Sequence, residues 1–303
     1  MQKARKDNIK LRIYGVILFS LTLLTNHAYG IQEIKFWVTP HSSNRSNYEI
    51  ALLKHLLNSS TEKYGQFELN IRYMDFNYAR ANRELRIGSQ VNVLSNPVNF
   101  DSQLGTDRPI LIPETIMNGL LGYRELIIKN TNLDKFHGLD SFEKLKVLKP
   151  GQLDSWIDNG IYEKNNITLI EARDYDKLFD QLNRQRIDYI PLGAIEAKEI
   201  LNRYQTSKHD LAISQNAVVY YPYNVYFQVT KSQPLIAERL SYAMKKAQED
   251  GSFNSIFNKY YGSTLKALKE KELNVFILKN PNISNTEITK LNKYLPKAKL
   301  ISQ

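Results

Sequence analysis

Residues 33–58 read EIKFWVTPHSSNRSNYEIALLKHLLN. Within them 33–39 alternates and is rich in β-branched and aromatic residues, the pattern of a strand. From 48 to 58 the apolar residues Ile50, Leu53, Leu56 and Leu57 recur at helical spacing. The stretch 40–47 between them reads as a loop. Residues 67–73 (FELNIRY) repeat the strand pattern, 78–87 reads as a helix carrying Ala79, Ala81 and Leu85, and 90–94 (QVNVL) as a short third strand. The order strand, helix, strand, helix, strand predicts a parallel sheet covered by helices, an α/β class.

A second set of such units follows. Strands are expected at 126–129, 146–148, 167–171 and 187–191, and helices at 141–145, 153–165, 174–185 and 195–204. Residues 217–229 (AVVYYPYNVYFQV) form a long β-rich stretch interrupted by Pro222. Two helices, 235–249 and 253–261, come next, with Ser252 expected as the N-cap of the second. The tail from Ser263 is rich in lysine and asparagine and has one apolar patch at 275–278.

The 303 residues include no cysteine. That excludes a disulfide scaffold, a thiolate metal site, a cysteine nucleophile and a lipid anchor borne on cysteine. The formal charge is +10, from 41 Lys and Arg against 31 Asp and Glu. Residues 1–30 hold Lys3, Arg5, Lys6, Lys10 and Arg12 against Asp7, a net of +4; residues 263–303 hold 8 Lys and 3 Glu, a net of +5. The remaining 28 basic and 27 acidic residues leave +1 for 31–262, so no basic face for nucleic acid is expected there. The basic start, the apolar run 13–24 and the small residues before Ile31 describe a cleavable secretory signal peptide at 1–30, cut near Gly30. The alternative, an uncleaved anchor, is disfavoured because the run is shorter than the roughly 20 residues that span a bilayer. The expected location is the periplasm.

No HExxH, GxSxG, P-loop or GxGxxG pattern occurs, and His27, His41, His55, His137 and His209 are scattered. No metal or cofactor is expected, and the residues favour binding over catalysis.

The segments YEIALLKHLL (48–57), NYARANRELRIGSQVNVLS (77–95), GLLGYRELIIKN (119–130), PGQLDSWIDNGIYEKN (150–165), YDKLFDQLNRQRIDYIPLG (175–193), YYPYNVYFQVTK (220–231), EDGSFNSIFNKYYG (249–262) and ILKNPNIS (277–284), in this order and spacing, resemble the type II periplasmic solute-binding proteins. The nearer resemblance is to the transporter substrate-binding group related to polar amino-acid binders. It implies two α/β lobes joined by crossing strands, with a solute held in the cleft between them. The implied division is 31–122 plus 224–303 for the first lobe and 123–223 for the second.

In such folds the loops at strand ends and the helix N-termini face the ligand. That places Tyr48, Arg80, Ser95 and Asn96 of the first lobe at the cleft. Related amino-acid binders carry a carboxylate-binding arginine a few residues after the third strand. Gln103 stands there instead, with Arg108 beyond it, which counts against an ordinary α-amino acid. Arg124 at the expected hinge can pair with an anionic ligand group or with a hinge carboxylate. In the second lobe, Trp156 can stack on a ligand or pack the lobe, and Asp158 is expected to complement a helix dipole. Tyr175 precedes a helix, and Glu196 is the nearest match to the acid that holds a ligand ammonium in related binders. Alanine in place of Arg124 or Trp156 is expected to abolish binding in a folded protein.

The leading expectation is a monomeric binding protein for a small polar solute, amino-acid-like in the related proteins, serving an ABC permease or a sensor. The alternatives are a dehydratase-like enzyme on the same fold and an interaction protein that has lost its ligand.

Overall fold

The computed structural model describes residues 30–39, 42–97, 107–206, 210–281, 283 and 299–302. The expected leader, apart from Gly30, and Gln103 lie outside these. Strand β1 (Gln32–Trp37) turns Ile34 and Phe36 inward, and helix α1 (Ser43–Ser59) covers them with Leu52, Leu53, Leu56 and Leu57. Full burial of one such leucine contributes about 1.5–3 kcal/mol. α1 begins at Ser43 and not at residue 48, which corrects the expected loop. Ser42 Oγ accepts from the Arg45 N–H at 3.3 Å, so the polar run 42–46 starts a helix.

Strand β2 (Phe67–Arg72) pairs parallel with β1. Helix α2 (Tyr78–Ile87) lies between an Asn77 N-cap and a left-handed Gly88. Strand β3 (Val93–Pro97) lies on the other side of β1, also parallel. It starts later than expected because the Asn92 side chain replaces a ladder residue. Its Oδ1 accepts from the Lys35 N–H and its Nδ2 donates to the Glu33 carbonyl, both at 2.7 Å. Ser95 and Asn96 are therefore strand residues and not loop residues. Strand β4 (Ile110–Leu111) ends this part of the chain.

After residues 112–122, β5 (Tyr123–Lys129) opens a second sheet. The strand expected at 146–148 is absent: a helix, Phe142–Lys146, runs into it, and β6 (Gly151–Leu153) forms instead. A Cβ on Gly151 would stand 2.3 Å from Ile187 Cδ1 and 2.8 Å from Leu178 Cδ1, so a larger residue there would have to displace these side chains. The helix expected over 153–165 is only α3 (Asn159–Lys164), preceded by a turn. β7 (Ile170–Ala172) pairs with β6; α4 (Tyr175–Asn183), β8 (Ile190–Gly193) and α5 (Ala197–Tyr204) follow.

β9 (Leu211–Tyr220) belongs to the second sheet, and β10 (Val225–Val229) returns to the first, antiparallel to β3 and β4. Pro222 sits in the link between them. α6 (Pro234–Glu249) and α7 (Ser252–Glu270) pack on α1. Ser252 is not the cap of α7; Gly251 is, at φ +80°, and the Ser252 N–H goes to Asp250 Oδ1 at 2.9 Å. The first sheet has the order β2-β1-β3-β10-β4.

The chain then crosses a third time. β11 (Asn274–Ile277) pairs parallel with β9, and β12 (Lys299–Ile301) with β11, giving the second sheet the order β12-β11-β9-β5-β8. So 274–277 and 299–301, within the segment 224–303 expected in the first lobe, lie in the second sheet. The apolar run 275–278 finds its partners along β9. Asn280 Nδ2 ties this segment to the Pro222 carbonyl at 2.7 Å. Asn165 and Lys279 exchange two bonds of 2.9 Å.

Candidate functional site

A cavity of about 560 Å³, counted to its mouth, lies where the two lobes meet. The first lobe lines it with Thr39, Ser42, Arg45, Tyr78, Asn96 and Pro97. The crossings contribute Leu121, Arg124 and Tyr223. The second lobe contributes Trp156, Ile157, Asp158, Tyr175, Leu192 and Glu196.

Arg124 stands at the start of β5, 5% exposed. Its terminal nitrogen donates to Asp158 Oδ2 at 2.8 Å, and its guanidinium lies 5.0 and 4.9 Å from the ring centres of Tyr221 and Tyr223. Tyr221 also donates its hydroxyl to Asp158. Asp158 is therefore the hinge carboxylate of Arg124 and not a dipole complement. Burial works against the arginine's charge, but the neighbouring phenols and Asp158 outweigh it, so Arg124 stays ionised.

Arg45, 3% exposed, was not anticipated. Its Nε donates to Glu49 at 2.8 Å and its Nη1 to the Tyr78 hydroxyl at 3.0 Å; Nη1 also reaches Glu196 across the cleft at 3.5 Å. Burial opposes its charge too, and Tyr78, Glu49 and Glu196 overcome that effect. Glu49 is pushed up by burial, with Arg45 opposing. The usable clue was Ser42 before an apolar run, an N-cap pattern that would have put Arg45 in the first turn facing the cleft.

The lobes also touch at the mouth. Glu199 of α5 accepts from the Ser43 N–H at 2.8 Å, the Asn44 N–H at 3.1 Å and Ser42 Oγ at 3.2 Å, so it caps α1 from the opposite lobe. Arg203 approaches it at 3.5 Å. Partial burial acts to raise its pKa, but the bonds from Ser43 and Asn44 prevail and hold it below the usual carboxylate value. Folded below unfolded means that this contact stabilises above the ordinary glutamate range and is lost as pH falls through the depressed value. The scattering radius is thus expected to grow as pH drops below the ordinary glutamate range, while Glu199→Ala shows the larger radius at every pH. An unchanged wild-type radius through that window would remove the interlobe role.

Of the expected site residues, Asn96, Arg124, Trp156, Tyr175 and Glu196 line the cavity. Ser95 contributes its carbonyl to Arg45 Nη2 at 3.5 Å. Tyr48 does not face the cleft. The earlier start of α1 puts it in the core against Phe257 and Tyr261, donating its hydroxyl to the Ile116 carbonyl. Arg80 is exposed, 4.2 Å from the ring centre of Phe76, and is not among the lining residues. Arg108 is also exposed and does not line the cavity. Trp156 packs edge-on against Tyr175 at 5.9 Å. Among the described residues no group of three or more His, Asp or Glu is placed to hold a metal ion.

No protein-family model and no curated protein matches the chain. Solved structures match it in shape. An amino acid ABC transporter substrate-binding protein from Streptococcus pneumoniae, bound to L-arginine, superposes with a TM-score of 0.53 at 10% identity, over 76% of this chain and 94% of its own. A periplasmic binding protein of Salmonella typhimurium with high arginine specificity gives 0.53 at 12% identity, over 75% and 98%. A structure described for glutathione import in Streptococcus mutans gives 0.52 at 12% identity, over 77% and 96%. At such identities the likeness speaks for architecture, and the architecture is that of the two-lobed, type II substrate-binding proteins.

Proposed function

We propose that this chain captures a small polar solute between its lobes and presents it to a membrane partner, an ABC permease or a sensor. The observation that carries the reading is the interlobe cavity, to which both lobes and two of the three crossings bring polar and aromatic side chains. Closure of two lobes around a ligand is what such a cleft is built to do. The solved proteins of like architecture named above are substrate-binding proteins, which supports binding over turnover. The basic, apolar start at 1–30 supports export to the periplasm, and among the described residues no helix is long and apolar enough to cross a membrane.

The test is thermal unfolding against amino acids, amines, organic acids and neutral polar solutes. A bound solute at about 100 times its Kd raises stability by roughly 2.7 kcal/mol. Trp156→Ala should remove that shift while the unliganded midpoint stays near wild type, because Trp156 is half-buried at the cavity wall. Arg124→Ala is the poorer probe, since Arg124 is tied into the buried hinge pair. No shift with any solute would overturn the reading.

A further inference from the structure

Proteins seat a carboxylate chiefly on a guanidinium or on free N–H groups at a helix N-terminus. On the two arginines that line this cavity, and beside it at the start of α1, where Ser42 lines it but Ser43 and Asn44 do not, the protein's own groups fill both kinds of seat. At the start of α1 the Ser43 and Asn44 N–H groups go to Glu199, the Arg45 N–H goes to Ser42 Oγ, and the Ser46 N–H goes to the Ser42 carbonyl at 3.1 Å. Arg124 is matched by Asp158 and Arg45 by Glu49, each at 2.8 Å.

The charges add up in the same direction. Among the described lining residues Arg45 and Arg124 stand against Asp158 and Glu196. Glu49, buried behind Arg45, adds one more acid, and protonating it returns the sum only to zero. Neither state leaves a positive surplus for an anion.

Two lining atoms are unmet, one acceptor and one donor. Asn96 lines the cavity at 0% exposure, and its Oδ1 has no partner. It calls for a donor. Arg124 Nε also lacks a partner, a single N–H that a neutral oxygen satisfies. Glu196 is held only at 3.5 Å by Arg45. The rings of Tyr78, Trp156 and Tyr175 form a shared wall with an outer groove that carries Asp75, Asp174 and Asp176 against Arg173. Aromatic walls and an acidic approach both favour a cation.

We infer that the site takes an organic cation without a carboxylate, an aliphatic or guanidino amine, and that Glu199, by filling the anion seat on α1, disfavours the amino-acid form. The inference rests on the solute-binding reading and narrows its ligand. It is tested by calorimetric titration with two matched pairs, agmatine with arginine and cadaverine with lysine, each differing by one carboxylate. The wild-type protein binds the amine about tenfold or more tightly than its amino acid. Glu199→Ala frees the Ser43 and Asn44 N–H groups and narrows or reverses that ratio. Glu199→Gln keeps an acceptor on the helix without the charge, leaves the lobes capped, and gives a ratio between the two. Tighter wild-type binding of an amino acid than of its amine overturns the inference and leaves the solute-binding reading standing. Binding of neutral or acidic solutes alone does the same. An unchanged ratio in a folded Glu199→Ala overturns the role of Glu199. Binding of no solute at all overturns both readings.

Discussion

Asp158→Ala is expected to lower the unfolding free energy by about 3–5 kcal/mol, the cost of stranding one member of a buried ion pair. Asp158 is 2% exposed and Arg124 5%. Removing the carboxylate leaves the guanidinium without its counter-charge and the Tyr221 hydroxyl without its acceptor. Gln152 Nε2, at 3.5 Å from the same oxygen, has no charge to give in exchange. Urea unfolding should show a lower midpoint with an unchanged slope. Replacing both partners together, Arg124→Met with Asp158→Leu, should cost less than Asp158→Ala alone, because no buried charge remains. A wild-type midpoint for Asp158→Ala would mean that the pair does not hold the hinge.

Gly122→Ala is expected to be the next most damaging single change, at or above the upper end of about 1–3 kcal/mol for overpacking. The added Cβ would lie 2.1 Å from the Tyr221 carbonyl oxygen and 3.4 Å from the Tyr223 nitrogen. These are backbone atoms of the other crossing, and Tyr221 N–H donates to the Gly122 carbonyl at 3.2 Å, so neither can yield cheaply. Gly160→Ala is the matched control. Nothing lies within 4 Å of its Cβ, and its effect should stay within about 1 kcal/mol of neutral. Equal midpoints for the two alanine variants would show that the crossings separate freely.

The architecture was readable where its elements are long and periodic. Residues 33–37 of the expected first strand lie within β1, and 78–87 is α2. Two of the misreadings have one cause, side chains that do backbone work. Ser42 extends α1 into what looks like a loop, and Asn92 delays β3 by standing in for a strand residue. At the cleft, Trp156, Tyr175 and Glu196 were found by their place relative to strands and helices. The pairing of Asp158 with Arg124 and the reach of Arg45 to Glu196 were not found, because each joins residues distant in sequence. Spacing along a chain does not report that kind of neighbour.

The late strand β11 also has a bearing on solubility. Residues 217–220 of β9, Ala-Val-Val-Tyr, are apolar and buried, and β11 pairs with them along one side while β5 pairs with the other. Without β11 that run would end the sheet as an open row of unpaired N–H and C=O groups, the kind of surface on which another chain adds a strand and aggregation begins. Strand β11 therefore covers that side of β9, where another chain would otherwise add a strand.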